Sequence, residues 1–135
     1  MLYFAYGSNL NHFQMKKRCK ESIFLKKIIL KNFKLTFRSK YRAADIEYKK
    51  GSLVPGGMFE ISRSDEKKLD VYEDYPILYK KFFFLYYGKK VMTYTMVNKS
   101  SFKFPTERYL NVIKRGYRDC NLDINYLKRA LKNNL

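Results

Sequence analysis

The sequence predicts a single α+β domain, residues 1–135, built around a curled and mostly antiparallel sheet. Three observations support this fold class, and together they lead us to expect about six strands and roughly two to four short helices. Segments with the apolar–polar alternation of half-buried strands outnumber segments with helical spacing. The helical segments do not alternate regularly with the strands, which argues against a parallel α/β fold. No linker, repeat or low-complexity segment divides the chain.

Residues 2–10 combine a short strand, Leu-Tyr-Phe-Ala, with the loop Tyr-Gly-Ser-Asn-Leu, and a polar helix is predicted at 11–21. Gly7 permits backbone angles that are closed to other residues, and Ser8 or Asn9 can cap the helix. A strand–loop–helix junction of this kind presents backbone N–H groups to an anion, which the helix dipole also favours. The alternative is an ordinary turn with an N-cap.

The middle of the chain is predicted to contain three further strands. Strand-like apolar patterns occur at 22–30, 32–38 and 58–61. The mixed, charged residues 39–52 are predicted to form a loop, and the Val-Pro-Gly-Gly segment at 54–57 is typical of a turn.

A central helix is predicted from Asp65 to about Tyr75. Ser64 is a suitable N-cap, and the two acids that follow it interact favourably with the helix dipole. Pro76 marks the end, because the residue before a proline is pushed out of helical angles.

The last third of the chain predicts a hairpin and two helices. Strand patterns at 81–87 and 91–97 flank a Gly-Lys-Lys segment at 88–90, which is typical of a hairpin turn. A Pro-Thr pair at 105–106 opens one helical segment, and Asp123 opens another.

The composition excludes several classes of protein and of site. The formal net charge is +17, but RNP, zinc-finger and basic-zipper signatures are missing, so no specific nucleic-acid partner is predicted. No apolar run is long enough to span a bilayer, and a basic signal-peptide region is missing, so no membrane partner is expected. His12 is the single histidine, which argues against a metal site. Cys19 and Cys120 lie far apart and indicate free thiols in a reducing, cytoplasmic compartment.

One carboxylate is predicted to face the interior from the central helix. Leu69, Tyr72 and Glu73 are spaced three and four residues apart, so they share its apolar face. Burial at the negative C-terminal end of the helix raises the pKa of Glu73, and Asp74 acts in the same direction. A carboxyl with a pKa nearer neutrality can take a proton from an amine and return it. Two alternatives are a Glu73 that leans into solvent and a rotated helix in which Asp70 points inward.

Four segments together resemble the gamma-glutamylcyclotransferase family. Two are its hallmark segments, Tyr-Phe-Ala-Tyr-Gly-Ser-Asn-Leu at 3–10 and Leu-Asp-Val-Tyr-Glu at 69–73. Gly-Met-Phe-Glu-Ile at 57–61 is similar to the family strand before the glutamate helix. Pro-Thr-Glu-Arg-Tyr at 105–109 is similar to the element before the C-terminal helix. Their order and spacing match over nearly the whole chain.

The resemblance implies a fold and a site. The fold is a small α+β domain with a mixed, mostly antiparallel, partly closed β-barrel flanked by short helices. Glu73 is implied to be the catalytic acid/base, in a cavity lined by the N-terminal loop. The implied substrate-binding residues are Tyr3, Phe4, Ala5, Tyr6, Gly7, Ser8, Asn9, Leu10 and Tyr109. Tyr79 and Tyr94 are further candidates for the cavity wall, with a core or surface role as the alternative.

The implied reaction is an intramolecular aminolysis. The α-amine of a gamma-glutamyl compound attacks its own side-chain carbonyl, closes a lactam, and releases 5-oxoproline and a free amine or amino acid. Effective molarities of about 10⁵–10⁸ M make orientation most of the task. Glu73 moves the proton, and N–H groups of the loop hold the α-carboxylate or the oxyanion. The reaction needs no metal, organic cofactor or covalent nucleophile.

Departures from the family pattern concern the leaving-group side. Asp74 stands where many members have glycine, and the chain is shorter than some members between residues 38 and 57. The substrate therefore stays open between gamma-glutamyl amino acids, gamma-glutamylamines and a biosynthetic gamma-glutamyl intermediate. An inactive family member also stays open, as does a non-enzymatic basic module that binds polyanions, which lysines interleaved with aromatic residues would suit. We expect a small-molecule partner and a monomer or homodimer.

Overall fold

In residues 1–133, which the computed structural model describes, five strands form one mixed sheet in the order β2–β3–β1–β5–β4. The strands are β1 (Leu2–Ala5), β2 (Ile23–Arg38), β3 (Ala43–Glu60), β4 (Tyr79–Tyr86) and β5 (Lys89–Met96). The helices are α1 (His12–Arg18), α2 (Arg63–Tyr72), α3 (Glu107–Asp119) and α4 (Ile124–Asn133), and a 3₁₀ turn covers Ser8–Leu10. The predicted α+β class is confirmed, with five strands rather than about six.

β1 lies in the middle of the sheet and connects its two halves. It pairs antiparallel with β3, where Ala5 faces Gly57, and parallel with β5. The outer pairs β2–β3 and β4–β5 are antiparallel. No ladder joins the edge strands β2 and β4 within the described residues, so the sheet is not closed. The expected partial closure is limited to side-chain contacts such as that of Phe33 with Phe82, whose ring centroids are 5.3 Å apart.

β2 and β3 are long strands where the sequence predicted interruptions. The predicted strands 22–30 and 32–38 form one strand, β2, with an irregular register where they meet. The predicted loop at 39–52 is wrong from residue 43 onward, because β3 begins at Ala43. The predicted turn at 54–57 is also wrong, since these residues pair with β2 inside β3.

Gly56 explains why a turn-like composition occurs inside a strand. A Cβ atom at this position would lie 2.4 Å from the carbonyl oxygen of Ala5 and 2.4 Å from the Phe4 ring. Close packing of β1 against β3 therefore requires the glycine, and no change of chain direction is involved.

α2 begins and ends earlier than predicted. Its N-cap is Ser62 rather than Ser64: the Ser62 Oγ accepts a hydrogen bond from the Asp65 N–H at 3.0 Å. In return, the Asp65 carboxylate accepts one from the Ser62 N–H at 3.2 Å. This capping box satisfies two N–H groups at the start of the helix. The helix ends at Tyr72, and Glu73 is its C-cap.

The remaining predicted elements are confirmed with shifted bounds. α1 is capped by Asn11 rather than by Ser8 or Asn9, because the Asn11 side chain accepts a hydrogen bond from the Gln14 N–H at 3.0 Å. The β4–β5 hairpin turns at residues 87–88, both of which have positive φ, one residue earlier than predicted.

α3 packs directly on the N-terminal loop and fixes its position. A Cβ atom on Gly116 would lie 2.5 Å from the Leu10 Cβ, so the helix and the loop are in close contact. Thr106 caps this helix, consistent with its predicted start. Cys19 and Cys120 are buried free cysteines. None of the helices in residues 1–133 has the length and apolarity needed to cross a bilayer.

Candidate active site

A cavity of about 550 Å³ opens beside the N-terminal loop. Its wall consists of loop residues 6–9, residues 71–74 at the end of α2, the start of β3, and tyrosines from β1, β4, β5 and α3. Tyrosine is the commonest residue type in the lining, and the acidic side chains in the wall are Glu73 and Asp74. The cavity is therefore rich in tyrosine, with its carboxylates grouped at the end of α2.

Glu73 is the half-buried carboxylate of this wall. Its backbone N–H donates to the Leu69 carbonyl at 2.8 Å, which places the side chain just beyond the last helical turn. No group in residues 1–133 donates a hydrogen bond to its carboxylate. Burial raises the pKa of Glu73 to about 7, and the Arg18 guanidinium opposes this rise. The inward position and the raised pKa agree with the prediction, although Asp74 is not among the causes; the catalytic role stays a prediction.

The N-terminal loop brings unpartnered backbone N–H groups to the cavity. The carbonyl oxygens of Gly7 and Ser8 accept hydrogen bonds from the N–H groups of Leu10 and Asn11 at 3.0 and 3.1 Å. The N–H groups of Gly7 and Ser8 themselves have no hydrogen-bond partner within residues 1–133. Because buried N–H groups are nearly always satisfied, these two are available to an acceptor on a bound molecule.

Gly7 combines a close contact with an unusual pair of backbone angles. Its φ is −125° and its ψ is −127°, so the conformation is not a left-handed turn, and this pair of angles lies outside the α and β regions that other residues favour. A Cβ atom here would lie 3.1 Å from the Ala44 Cβ and 3.5 Å from the Tyr109 hydroxyl. The loop therefore lies close against the start of β3, and a side chain at this position would require the loop or Ala44 to shift.

Ser8 and Asn9 are held by Arg18, which the sequence pattern did not single out, together with Tyr72 and Tyr3. Arg18 Nη1 donates to Asn9 Oδ1 and, at 3.3 Å, to Ser8 Oγ. The guanidinium carbon lies 3.6 Å from the centroid of the Tyr72 ring, whose hydroxyl is 3.2 Å from Ser8 Oγ. Asn9 Nδ2 donates to the Tyr3 hydroxyl at 2.9 Å. Only the tertiary structure brings the end of α1 to this loop.

Three tyrosine hydroxyls connect the wall to the backbone. Tyr6 donates to the Tyr94 carbonyl at 2.7 Å, and Tyr79 donates to the Ala44 carbonyl at 2.6 Å. The Tyr109 hydroxyl accepts from the Ala44 N–H at 3.0 Å. Burial is the main cause that raises the pKa of all three phenols, so they are neutral near pH 7.

Most of the predicted binding residues line this cavity. With Glu73, they are Tyr3, Tyr6, Gly7, Ser8, Asn9, Tyr79, Tyr94 and Tyr109. Phe4, Ala5 and Leu10 do not line it, because their side chains are fully buried in the core. Phe4 packs edge-to-face on Phe84, with ring centroids 5.7 Å apart, and Leu10 lies under α3. The structure therefore gives these three side chains a packing role instead of the predicted substrate contact.

Asp70 and His12 lie outside the cavity wall. The Asp70 carboxylate accepts from the Tyr94 hydroxyl at 2.6 Å and pairs with Lys81 at 3.1 Å, which rules out the rotated-helix alternative. The His12 ring packs against Phe24, with centroids 4.8 Å apart. Among the residues that the structure describes, no cluster of His, Cys, Asp or Glu side chains is suited to a metal ion.

The cavity combines a proton-transfer group with donors for an anion. A carboxylate whose pKa is about 7 can both accept and return a proton near neutral pH. The free N–H groups of Gly7 and Ser8 lie in the same wall. The arrangement can therefore hold a small anionic compound and move a proton within it.

The sequence profile of one protein family matches most of the chain. The family is described as Gamma-glutamyl cyclotransferase, AIG2-like, and the match covers residues 3–114. No curated protein sequence gives a significant match.

Several solved structures share the fold. One named Gamma-glutamyl cyclotransferase has a TM-score of 0.83 at 26% identity, over 96% of this chain and 85% of that chain. The crystal structure of an uncharacterized Homo sapiens protein gives 0.82 at 27% identity, over 96% and 85% of the two chains. YkqA from Bacillus subtilis gives 0.78 at 22% identity, over 98% of this chain and 54% of that chain, which shows likeness of fold alone.

Proposed function

The chain belongs to the gamma-glutamyl cyclotransferase, AIG2-like family, and we propose that it converts a gamma-glutamyl compound into 5-oxoproline and a free amine. The observation that carries this proposal is the state of Glu73. Its half-buried carboxylate receives no hydrogen bond within residues 1–133, lies in the cavity wall, and has a pKa of about 7. General acid/base catalysis is most effective when the pKa of the group lies near the working pH.

The proposed reaction forms one C–N bond and breaks another within the substrate. Ionised Glu73 takes a proton from the α-ammonium group, and the resulting amine attacks the γ-carbonyl carbon to close a five-membered ring. Protonated Glu73 then returns the proton to the leaving nitrogen as the original amide bond breaks. The ring nitrogen loses its second proton through the same carboxylate, and the released amine takes it up and leaves as an ammonium ion. Proton transfer of this kind contributes roughly 10²–10⁴ in rate, and the remainder comes from holding the substrate in the cyclic conformer.

The N-terminal loop is proposed to bind the gamma-glutamyl group. The free N–H groups of Gly7 and Ser8 support this role, because they can donate to the α-carboxylate or to the oxyanion formed at the γ-carbon. The neutral hydroxyls of Tyr6, Tyr79 and Tyr109 are already engaged with the backbone, so they shape the cavity.

The charges of the cavity wall favour a leaving group without a carboxylate. Within residues 1–133, the charged side chains of the wall are Glu73 and Asp74, and no lysine or arginine lines it. An amino acid as leaving group brings a second carboxylate close to these acids, where like charges repel. A gamma-glutamylamine, whose leaving amine is neutral or cationic, is therefore the preferred substrate class.

Turnover of matched substrate pairs tests the proposal. The purified protein is incubated with gamma-glutamylalanine and gamma-glutamylethylamine, which differ only in the leaving-group carboxylate, and 5-oxoproline is measured by mass spectrometry. We expect release from both, faster from the amine, and a loss of at least about 10²-fold in Glu73→Gln. Glu60→Gln, the same change at an exposed position, is the matched control and should retain full activity.

Three results would contradict parts of the proposal. Turnover that survives in Glu73→Gln would exclude Glu73 as the proton-transfer group. Faster release from the alanine compound would contradict the preference argued from the negative charges of Glu73 and Asp74. Absence of 5-oxoproline from every substrate, together with salt-sensitive binding to nucleic acid, would favour the non-enzymatic polyanion-binding alternative.

A further inference from the structure

Arg18 makes contacts that the proposed reaction does not use. It is the last residue of α1 and is half-buried, with Nη1 donating to Ser8 and Asn9 and the guanidinium lying over the Tyr72 ring. It forms no ion pair with a carboxylate of residues 1–133, unlike the buried Arg38, which is paired with two. An unpaired, partly buried guanidinium costs desolvation free energy, which indicates a role for its charge as well as its shape.

We propose that Arg18 is a positioning residue of the candidate active site, which fixes the Ser8–Asn9 loop against Tyr72 and places an unpaired positive charge beside Glu73. The proposal rests on the proposed cyclotransferase function, since it assigns a role within that site.

The hydrogen bonds of Arg18 set the geometry of the loop. Because Arg18 donates to Asn9 Oδ1, the Asn9 amide nitrogen is directed to the Tyr3 hydroxyl, at 2.9 Å. The same guanidinium lies on Tyr72, whose hydroxyl reaches Ser8 Oγ at 3.2 Å. A planar guanidinium can donate two hydrogen bonds and stack on a ring at once, whereas a lysine ammonium is a flexible point charge. The unpartnered N–H groups of the loop therefore depend on an arginine for their position.

The charge of Arg18 acts on the proton-transfer group. It lowers the pKa of Glu73, against the larger effect of burial. Tyr72 precedes Glu73 and Asp74 follows it, and no lysine of residues 1–133 lines the cavity. The ionisable groups that surround Glu73 on the other elements are phenols with pKa values raised by burial, those of Tyr3, Tyr6, Tyr79, Tyr94 and Tyr109. Arg18 therefore keeps a larger fraction of Glu73 ionised near neutral pH.

Three variants separate charge from shape. Arg18→Gln removes both, Arg18→Lys keeps the charge, and Lys17→Gln removes one positive charge from an exposed neighbour as the matched control. The first measurement is the titration of the Glu73 carboxyl carbon by NMR, which needs no turnover. We expect the midpoint to rise by about one pH unit in Arg18→Gln, and to stay near that of the wild type in the other two.

The second measurement is the pH profile of kcat/KM for 5-oxoproline release. On the acidic side, Arg18→Gln should lose about tenfold from the change in ionisation, and this part of the loss should vanish at high pH. If part of the loss of kcat/KM remains at high pH, is due to a raised KM and also occurs in Arg18→Lys, it comes from displacement of the loop. Lys17→Gln should follow the wild type throughout.

The outcomes distinguish the two roles of Arg18 from each other and from the proposed cyclotransferase function. An unchanged Glu73 titration in folded Arg18→Gln would overturn the electrostatic role, and wild-type kinetics of Arg18→Lys at all pH values would overturn the positioning role. If Arg18→Gln does not fold, Arg18→Lys still tests the positioning role. A loss of kcat/KM in Lys17→Gln equal to that in Arg18→Gln would show that the effect is one of general surface charge. A wild-type protein without turnover would remove the cyclotransferase function, whereas the NMR titration would still decide the electrostatic role.

Discussion

Replacing Glu73 by glutamine should stabilise the folded protein above pH 7 while it removes activity. Glutamine has nearly the shape of a protonated glutamate and carries no charge at any pH. The wild-type carboxylate is half-buried and receives no hydrogen bond within the described residues, so its ionisation opposes folding. This prediction concerns the site alone and holds for any substrate.

The magnitude follows from the difference between two pKa values. The pKa of Glu73 is about 7 in the folded protein, against an ordinary value of 4.5. Each pKa unit corresponds to about 1.4 kcal/mol, so ionisation lowers the free energy of unfolding by about 3 kcal/mol. Because the folded pKa is the higher one, the folded state binds the proton more tightly. Stability from this group is therefore complete below pH 4.5 and is lost as the pH rises through about 7.

Urea denaturation of the two proteins at pH 8 and pH 5 measures this effect. At pH 8, Glu73→Gln should be more stable by about 3 kcal/mol, which is roughly 10 °C in Tm, and at pH 5 the difference should shrink to about 1 kcal/mol. Glu60→Gln, at an exposed position, should show neither change. Equal stability at pH 8, or a difference that is the same at both pH values, would refute the reasoning from burial.

Two further substitutions test the placement of the loop and of the single histidine. Gly7→Val puts a branched side chain where a Cβ atom alone lies 3.1 Å from Ala44; we expect the loop to move and kcat/KM to fall at least about tenfold. A Gly7→Val enzyme with normal KM would show that the loop does not hold the substrate. His12→Ala removes a ring that packs on Phe24 away from the cavity, so kcat/KM should stay within about twofold while the free energy of unfolding falls by roughly 1–2 kcal/mol. Loss of turnover in folded His12→Ala, measured by the same 5-oxoproline assay, would mean that the site extends to His12 at the start of α1.

The fold class followed from local patterns, but the lengths of the central strands did not. Alternation and turn residues located the β4–β5 hairpin and both C-terminal helices to within a few residues. The segment 54–57 was misassigned because proline and two glycines are typical of a turn. In the structure the constraint on Gly56 comes from Phe4 and Ala5, some fifty residues earlier in the chain. Local composition cannot distinguish a glycine needed for a turn from one needed for a close contact between strands.

The two ends of the candidate site were accessible to sequence reasoning for different reasons. Glu73 was found because helical spacing puts it on the same face as Leu69, and the structure agrees although α2 ends one residue before it. The loop was found because Gly7 and Ser8 interrupt a strand. Leu10, which belongs to the same motif, packs under α3 instead. A motif therefore identifies a segment, whereas the side that each residue presents depends on what covers the other side.

The contacts of Arg18 could not be predicted from the sequence. The chain has 29 lysines and arginines, and nothing in their spacing distinguishes this one from Lys16 or Lys17 in the same helix. Its distinction is a set of partners drawn from two distant segments, Asn9 of the loop and Tyr72 of α2, with no carboxylate of the described residues to neutralise it. In a protein of net charge +17, a further positive charge on the surface alters little because salt screens it. The same charge next to a half-buried carboxylate is screened much less, so the position of Arg18, and not the overall charge, determines how far it lowers the pKa of Glu73 against the larger effect of burial.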